Sequence, residues 1–221
     1  MENRNDASAT ATLNGFIHRF VPAEQDGLPT LLLLHGTGGT EDALLELGRM
    51  LAPGAALLSP RGKVLEYGMP RYFRRLAEGV FDVPDLIERT HELAEFIAAA
   101  CAQYHLDERR IVAVGYSNGA NIASSLLLLH PGIFSGAALF HPMVPFEPEQ
   151  APDLQKIPIF IGAGRMDPIA QPDNTERLIA LLRRANAALT IYWTNGGHEL
   201  SHEEVRQARA WINTIQDTLD G

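Results

Sequence analysis

The stretch Ile111-Val112-Ala113-Val114-Gly115-Tyr116-Ser117-Asn118-Gly119-Ala120-Asn121 decides the fold. A short β-branched run ends in Gly-x-Ser-x-Gly, and small and apolar residues (Ala120, Ile122, Ala123, Leu126, Leu127) follow at once. That order predicts strand, sharp turn and helix, the context in which a strained turn lifts a serine above the end of a sheet. Glycine is expected at Gly115 and Gly119 because side chains there would collide with the neighbouring strand and helix. Ser117 would then project its hydroxyl at the positive end of the helix dipole. Outside that context the pattern is only moderately specific, since a chance match in a loop gives the same letters.

A serine hydroxyl is a poor nucleophile until a base takes its proton, so the reading needs a histidine, an acid and an oxyanion site elsewhere in the chain. Upstream, Thr30–Leu34 is a continuous apolar run that stops at His35-Gly36-Thr37-Gly38-Gly39. Both faces of such a strand must be covered, which puts it in the middle of a parallel sheet. Phe16–Val21 alternates as an early edge strand, and a turn-rich connection follows it. Thr40 is expected to cap the next helix, with Glu41 and Asp42 in its first turn, and residues 55–59 to form the next strand.

Residues 60–82 are expected to be irregular, and a connection of that length in a compact domain is often functional. Pro84 opens a helix whose apolar positions Leu86, Ile87, Leu93, Phe96, Ile97 and Ala100 recur at helical spacing. Gly136–Phe140, 157–163 and 189–193 are three further strands, and the proline-rich stretch 141–155 is a loop. Asp173 with Glu176 is expected to box the start of a helix reaching Ala187, and Ser201 with Glu204 the start of a final helix from His202 towards Thr218. Strands alternating with helices predict the α/β class, with a mostly parallel, doubly wound sheet flanked by helices. The length of 221 residues suits one domain, set here at 13–221, preceded by a flexible N-terminal segment 1–12.

Reactive residues of an open parallel sheet collect at the carboxyl ends of its strands. The segment Gly162-Ala163-Gly164-Arg165-Met166-Asp167-Pro168 leaves one strand and delivers Asp167, and Thr194-Asn195-Gly196-Gly197-His198 leaves the next and delivers His198. The chain order serine, aspartate, histidine is the one α/β-hydrolases use. His198 is assigned as the base for Ser117, and Asp167 as the group that orients it. The backbone amides of Asn118 and Thr37 are the candidate oxyanion donors. His35 precedes its turn and is expected to brace that loop.

A net charge of −9 argues against a nucleic-acid partner, which needs a basic surface. The single cysteine, Cys101, excludes an intrachain disulfide and reads as a small buried thiol. Residues 1–12 lack the apolar core of a signal peptide and no stretch is long enough to span a bilayer, so a cytoplasmic location is expected.

Four segments together resemble the phospholipase/carboxylesterase family of α/β-hydrolases, which includes the acyl-protein thioesterases. They are Leu34-His35-Gly36-Thr37-Gly38-Gly39, Gly115-Tyr116-Ser117-Asn118-Gly119-Ala120, Gly164-Arg165-Met166-Asp167-Pro168 and Gly197-His198-Glu199-Leu200. The similarity runs from about Phe16 onwards and looks closest to small bacterial carboxylesterases. It implies a single-domain α/β-hydrolase fold, hydrolysis of small-molecule carboxylic esters through Ser117, His198 and Asp167, no cofactor, no metal, and a homodimer as a candidate assembly. Acyl-protein thioesterases typically carry glutamine where this chain has Asn118. Short to medium acyl esters are the expected substrates, with thioesters or lysophospholipids as the alternative and a non-catalytic binding role on the same fold as a third reading.

Tyr67, Met69, Tyr72 and Phe73 from the irregular segment, with Met143 and Phe146, are the candidate pocket walls. Arg71, Arg74 and Arg75 are expected to form a solvated charged face. Two rival motifs are weak. His198-Glu199-Leu200-Ser201-His202 matches the zinc-protease pattern H-E-x-x-H, but that motif needs one continuous helix and here glycines precede it while a cap falls inside it. Gly36-Thr37-Gly38-Gly39 is half of a dinucleotide fingerprint whose third glycine is replaced by Glu41.

Overall fold

The computed structural model describes residues 10–219. In chain order the elements are β1 (Ala11–Leu13), β2 (Phe16–Val21), β3 (Thr30–Leu34), α1 (Leu45–Leu51), β4 (Leu57–Pro60), β5 (Val64–Glu66), β6 (Met69–Arg71), β7 (Arg75–Ala77) and β8 (Val80–Phe81). There follow α2 (Val83–Tyr104), β9 (Ile111–Tyr116), α3 (Asn118–Leu129), β10 (Gly136–Phe140), β11 (Pro158–Gly164), α4 (Pro172–Arg184), β12 (Ala188–Thr194) and α5 (His202–Leu219).

Eight strands form one sheet in the order β1-β2-β4-β3-β9-β10-β11-β12. From β4 to β12 every pairing is parallel, whereas β1 and β2 add an antiparallel end. The sheet's two faces are read directly from the period-2 alternation of its strands. Leu32, Leu34, Ala113, Leu139 and Ile161 face α2, α3 and α4, while Leu31, Leu33, Val112, Val114, Phe140 and Phe160 face α1 and α5. All five residues of β3 are buried, as a central strand covered on both faces requires.

The amphipathic stripe of α2 buries Leu86, Leu93, Phe96, Ile97 and Ala100, and Asp82 caps it by accepting from the Asp85 amide at 3.3 Å. Cys101 lies in the same face, and burial raises its thiol pKa to about 11, so it packs as an apolar group.

Several local expectations are corrected. Phe16–Val21 is not the outermost strand, because Asn14 and Gly15 (φ 48° and 77°) turn the chain into a hairpin that adds β1 outside it. Of the expected flexible segment 1–12, residues 1–9 lie outside the described residues, and Ala11 and Thr12 belong to β1. Thr40 does not cap α1. It holds a turn by accepting from the Asp42 amide at 3.3 Å, and α1 begins after Leu44. Glu41 is instead buried against Arg61, with both guanidinium bonds at 2.5 and 2.7 Å. Asp173 does not cap α4, whose first residue is Pro172 after an extended Gln171. The segment 60–82 is not irregular: β5 pairs with β6 and β7 with β8 in two short hairpins, the first turning at Tyr67 and Gly68 (φ 51° and 80°).

Candidate active site

Ser117 sits between β9 and α3 with φ 53° and ψ −114°, a conformation non-glycine residues adopt only under constraint. Two backbone bonds impose it: the Ser117 amide donates to Phe140 O at 2.9 Å, and its carbonyl accepts from the Asn121 amide at 3.0 Å, closing the first turn of α3. The flanking glycines permit it. A Cβ on Gly115 would lie 2.7 Å from Ala120, and one on Gly119 would overlap the Leu34 carbonyl.

Two loops bring the other two groups to the same rim. The Arg165 amide donates to Thr194 O at 2.9 Å and the Met166 amide to Gly196 O at 3.0 Å, so the loops after β11 and β12 run side by side. The approach is close enough that a Cβ on Gly164 would overlap Gly197 O. Tyr116 Oη holds the second loop by donating to His198 O at 2.8 Å.

In the result, His198 Nε2 lies 2.9 Å from Ser117 Oγ, and His198 Nδ1 lies 2.7 Å from Asp167 Oδ2. Asp167 is buried, and its Oδ1 accepts from the amides of Ile169 and Ala170 at 2.8 and 2.9 Å. Burial opposes its charge, but the bonds from His198 and from those two amides outweigh it and hold the carboxyl below its ordinary value. An ionised carboxylate here fixes one tautomer of His198, with Nδ1 protonated and Nε2 open towards the hydroxyl.

The Gly-rich turn after β3 is clamped by the 60–82 segment. Arg71 Nη1 donates to Thr37 Oγ1 at 2.6 Å, the Gly38 amide to Pro70 O at 2.9 Å, and the Tyr72 amide to Asn118 Oδ1 at 2.8 Å. His35 braces the same turn: Nε2 accepts from the Gly62 amide at 3.0 Å, which leaves Nδ1 to donate to Gly36 O at 2.7 Å. Burial lowers the pKa of His35, in keeping with that neutral form.

Thr37, Tyr116, Ser117, Asn118 and His198 line a cleft of about 350 Å³ whose other walls include Arg71, Arg75, Phe81, Met143 and Ile169. Of the six expected wall residues only Met143 is among them. Tyr67 stands 94% exposed at a hairpin tip, Met69 packs beside Gly38, and Tyr72 and Phe73 point into the core. Phe146 lines a neighbouring depression with Val80 and Val144. Tyr72 and Phe73, in the link between the two hairpins, turn into the core, whereas Arg71 at the end of β6 and Arg75 at the start of β7 line the cleft. Arg71 is also no solvated charge: it is buried, and it shares Glu66 with Arg75 at 3.4 and 2.9 Å.

Two buried groups stand behind Asp167: His141, which the sequence did not single out, and Glu204, expected only as a helix cap. His141, at the carboxyl end of β10, places Nδ1 3.0 Å from Asp167 Oδ2 and Nε2 3.1 Å from Glu204 Oε1. Glu204 also forms the expected capping box of α5, accepting from the Ser201 amide and hydroxyl at 2.9 and 2.7 Å. The only sequence signal for His141 is a histidine at the end of a predicted central strand.

His141, Asp167 and His198 place potential ligand atoms within 4.8 Å of one another. Both imidazoles hydrogen bond to one Asp167 oxygen, so the three groups are already partners of one another. The H-E-x-x-H reading fails on geometry, since α5 begins at His202 and His198 lies in the preceding loop.

A serine on a strand-to-helix turn, held by a histidine and an aspartate from the ends of later strands of a largely parallel sheet, defines the α/β-hydrolase class. The chain belongs to the dienelactone hydrolase family, which residues 83–216 match. It is 52% identical over 181 residues to the putative hydrolase MhqD of Bacillus subtilis, covering 82% of this chain and 90% of that one. It also matches the solved carboxylesterase of Bacillus cereus (49% identity, TM-score 0.88, 90% of this chain and 94% of that one) and a carboxylesterase from Mesorhizobium loti (34%, TM-score 0.88, 94% and 99%). The likeness to bacterial carboxylesterases expected from the four motifs is therefore found, and the protein is a hydrolase of the dienelactone hydrolase and carboxylesterase type. Among the described residues no helix is long and apolar enough to cross a membrane.

Proposed function

We propose that the protein hydrolyses short carboxylic esters through an acyl-enzyme on Ser117. His198 takes the hydroxyl proton as Oγ attacks the ester carbonyl, then passes it to the leaving alcohol. It next activates a water molecule that releases the acid and frees the serine. Asp167 holds the imidazole and stabilises its charged form, and the amides of Thr37 and Asn118 donate to the oxyanion. The observation that carries this reading is the continuous relay from Ser117 Oγ to His198 to Asp167, 2.9 and 2.7 Å long, opening into a cleft.

The size of that cleft favours a small acyl group, and its arginine-lined wall suits a long alkyl chain poorly. Short esters are therefore preferred over lysophospholipids. Thioesters share the carbonyl chemistry and are the second reading.

Purified protein should hydrolyse p-nitrophenyl acetate and butyrate, with rates falling for longer chains. Ser117→Ala should lose on the order of 10⁴ to 10⁶ in kcat. Near-normal turnover in that variant, or no turnover of any ester or thioester by the wild type, would rule the proposal out.

A further inference from the structure

We propose that His141 is a positioning residue for this site: held as an imidazolium between Asp167 and Glu204, it fixes the Asp167 carboxylate and offsets its charge, and so helps to set the acidic limb of the rate profile. The inference rests on the serine-hydrolase reading for its kinetic consequence, but not for the state of His141 itself.

The side chains of His141, Asp167 and Glu204 are all fully buried, so solvent cannot serve them. His141 Nδ1 faces Asp167 Oδ2 at 3.0 Å and Nε2 faces Glu204 Oε1 at 3.1 Å, the latter off the line of a straight hydrogen bond. Both neighbours are acceptors. Asp167 already receives His198 and two amides, and the other oxygen of Glu204 receives both donors of Ser201. A neutral imidazole could donate to one carboxylate only, and would turn a lone pair towards the other. An imidazolium presents a proton and a positive charge to both, as a hydrogen bond to Asp167 and an ion pair with Glu204.

The fold makes room for this arrangement at some cost. His141 leaves β10 with φ 51°, and its amide donates to Gly162 O at 2.7 Å. A Cβ at Gly162 would come within 3.1 Å of Glu204 Oε1, so a glycine in the middle of β11 leaves space for the carboxylate. Burial alone would lower the pKa of His141, but the bonds and charges of Glu204 and Asp167 outweigh it and raise the pKa above the ordinary 6.5. The same contacts hold Glu204 below its ordinary value.

The groups facing His141 are Asp167 from the loop after β11, Glu204 from α5, the His198 ring at 5.3 Å and the Tyr116 ring edge-on at 5.9 Å. With His141 charged, Asp167, Glu204 and His141 sum to one negative charge beside His198. With a neutral residue there, they sum to two, and a proton on His198 is held more tightly. The acidic limb of the rate profile would then lie at higher pH.

Two measurements test this. Ring ¹⁵N spectra of the wild-type protein should show both His141 nitrogens protonated at pH 7.0; a neutral tautomer there overturns the proposal. In kinetics, His141→Asn keeps a donor in the place of Nδ1 while removing the charge. Its acidic limb in kcat/KM for p-nitrophenyl acetate should move up by about one pH unit.

The double variant His141→Asn with Glu204→Gln removes both charges, and Glu204 lies on the far side of His141 from Asp167. Its limb should move up by about half a unit, and it supplies the kinetic result if the single variant does not fold. A merely structural role would lower kcat and leave the limb in place, so an unmoved limb in a folded variant refutes the inference. A wild type that hydrolyses no ester would sink the serine-hydrolase reading, while the spectra would still report the charge on His141.

Discussion

The Tyr72 amide donates to Asn118 Oδ1 at 2.8 Å, so the first residue of α3 also anchors the segment that clamps the Gly-rich turn. The Tyr72 hydroxyl completes the clamp. It donates to Pro60 O at 2.7 Å and lies 3.3 Å from the His35 amide, which donates to it. The two proposed oxyanion donors, Thr37 and Asn118, thus share one support, although they come from elements far apart in sequence.

Asn118→Ala would leave the buried Tyr72 amide without its acceptor, at a cost of about 1–3 kcal/mol. Chemical denaturation should register that loss. Ester turnover should fall by roughly tenfold, because the turn carrying Thr37 loses part of its support. An unchanged kcat with normal stability would mean that the clamp is not coupled to the site.

Ser117 is held at φ 53°, where a Cβ is strained and glycine is not. Ser117→Gly and Ser117→Ala should both be inactive. They should differ in stability, with the glycine variant more stable by about 1 kcal/mol, since relief of strain outweighs the entropy glycine costs in the unfolded chain. Equal denaturation midpoints would argue that the turn stores no strain.

Gly119→Ala places a methyl group on the Leu34 carbonyl, which belongs to the central strand and cannot move aside. A destabilisation of about 4 kcal/mol or more is expected, seen as insoluble expression or a collapsed melting temperature. A soluble variant with wild-type melting would contradict the close approach of β3 to α3.

The buried charges also predict how stability depends on pH. The raised pKa of His141 adds stability that is fully present below 6.5 and is lost as pH climbs through the folded value. The lowered pKa values of Glu204 and Asp167 add stability that is present above their ordinary 4.5 and 3.8 and is lost as pH falls through the folded values. Relative to His141→Asn with Glu204→Gln, the wild type should therefore gain most in Tm between pH 4.5 and 6.5. The difference should narrow on either side, and a difference independent of pH from 4 to 9 would refute the coupling.

Much of this was legible in the sequence because it depends on neighbours within a few residues. The Gly-x-Ser-x-Gly turn is imposed by sterics over five positions, the capping box of α5 by Ser201 and Glu204 three apart, and the buried strands by uninterrupted apolar runs. Asn14-Gly15 and Tyr67-Gly68 are likewise local hairpin turns, the first of which puts β1 outside β2. Ser117, Asp167 and His198, which the fold brings within hydrogen-bond reach, could be named because each follows a predicted strand.

What the sequence determined by itself was the alternation of strands and helices and the identity of the residues leaving the strand ends. Only the tertiary structure decided that Tyr72 and Phe73 turn into the core while Arg71 and Arg75 face the cleft, and that Glu204 meets His141 behind Asp167. The physical reason is range: backbone sterics and periodicity act along the chain, whereas the partner of a buried charge or ring is set by whichever distant segment the packed sheet brings against it.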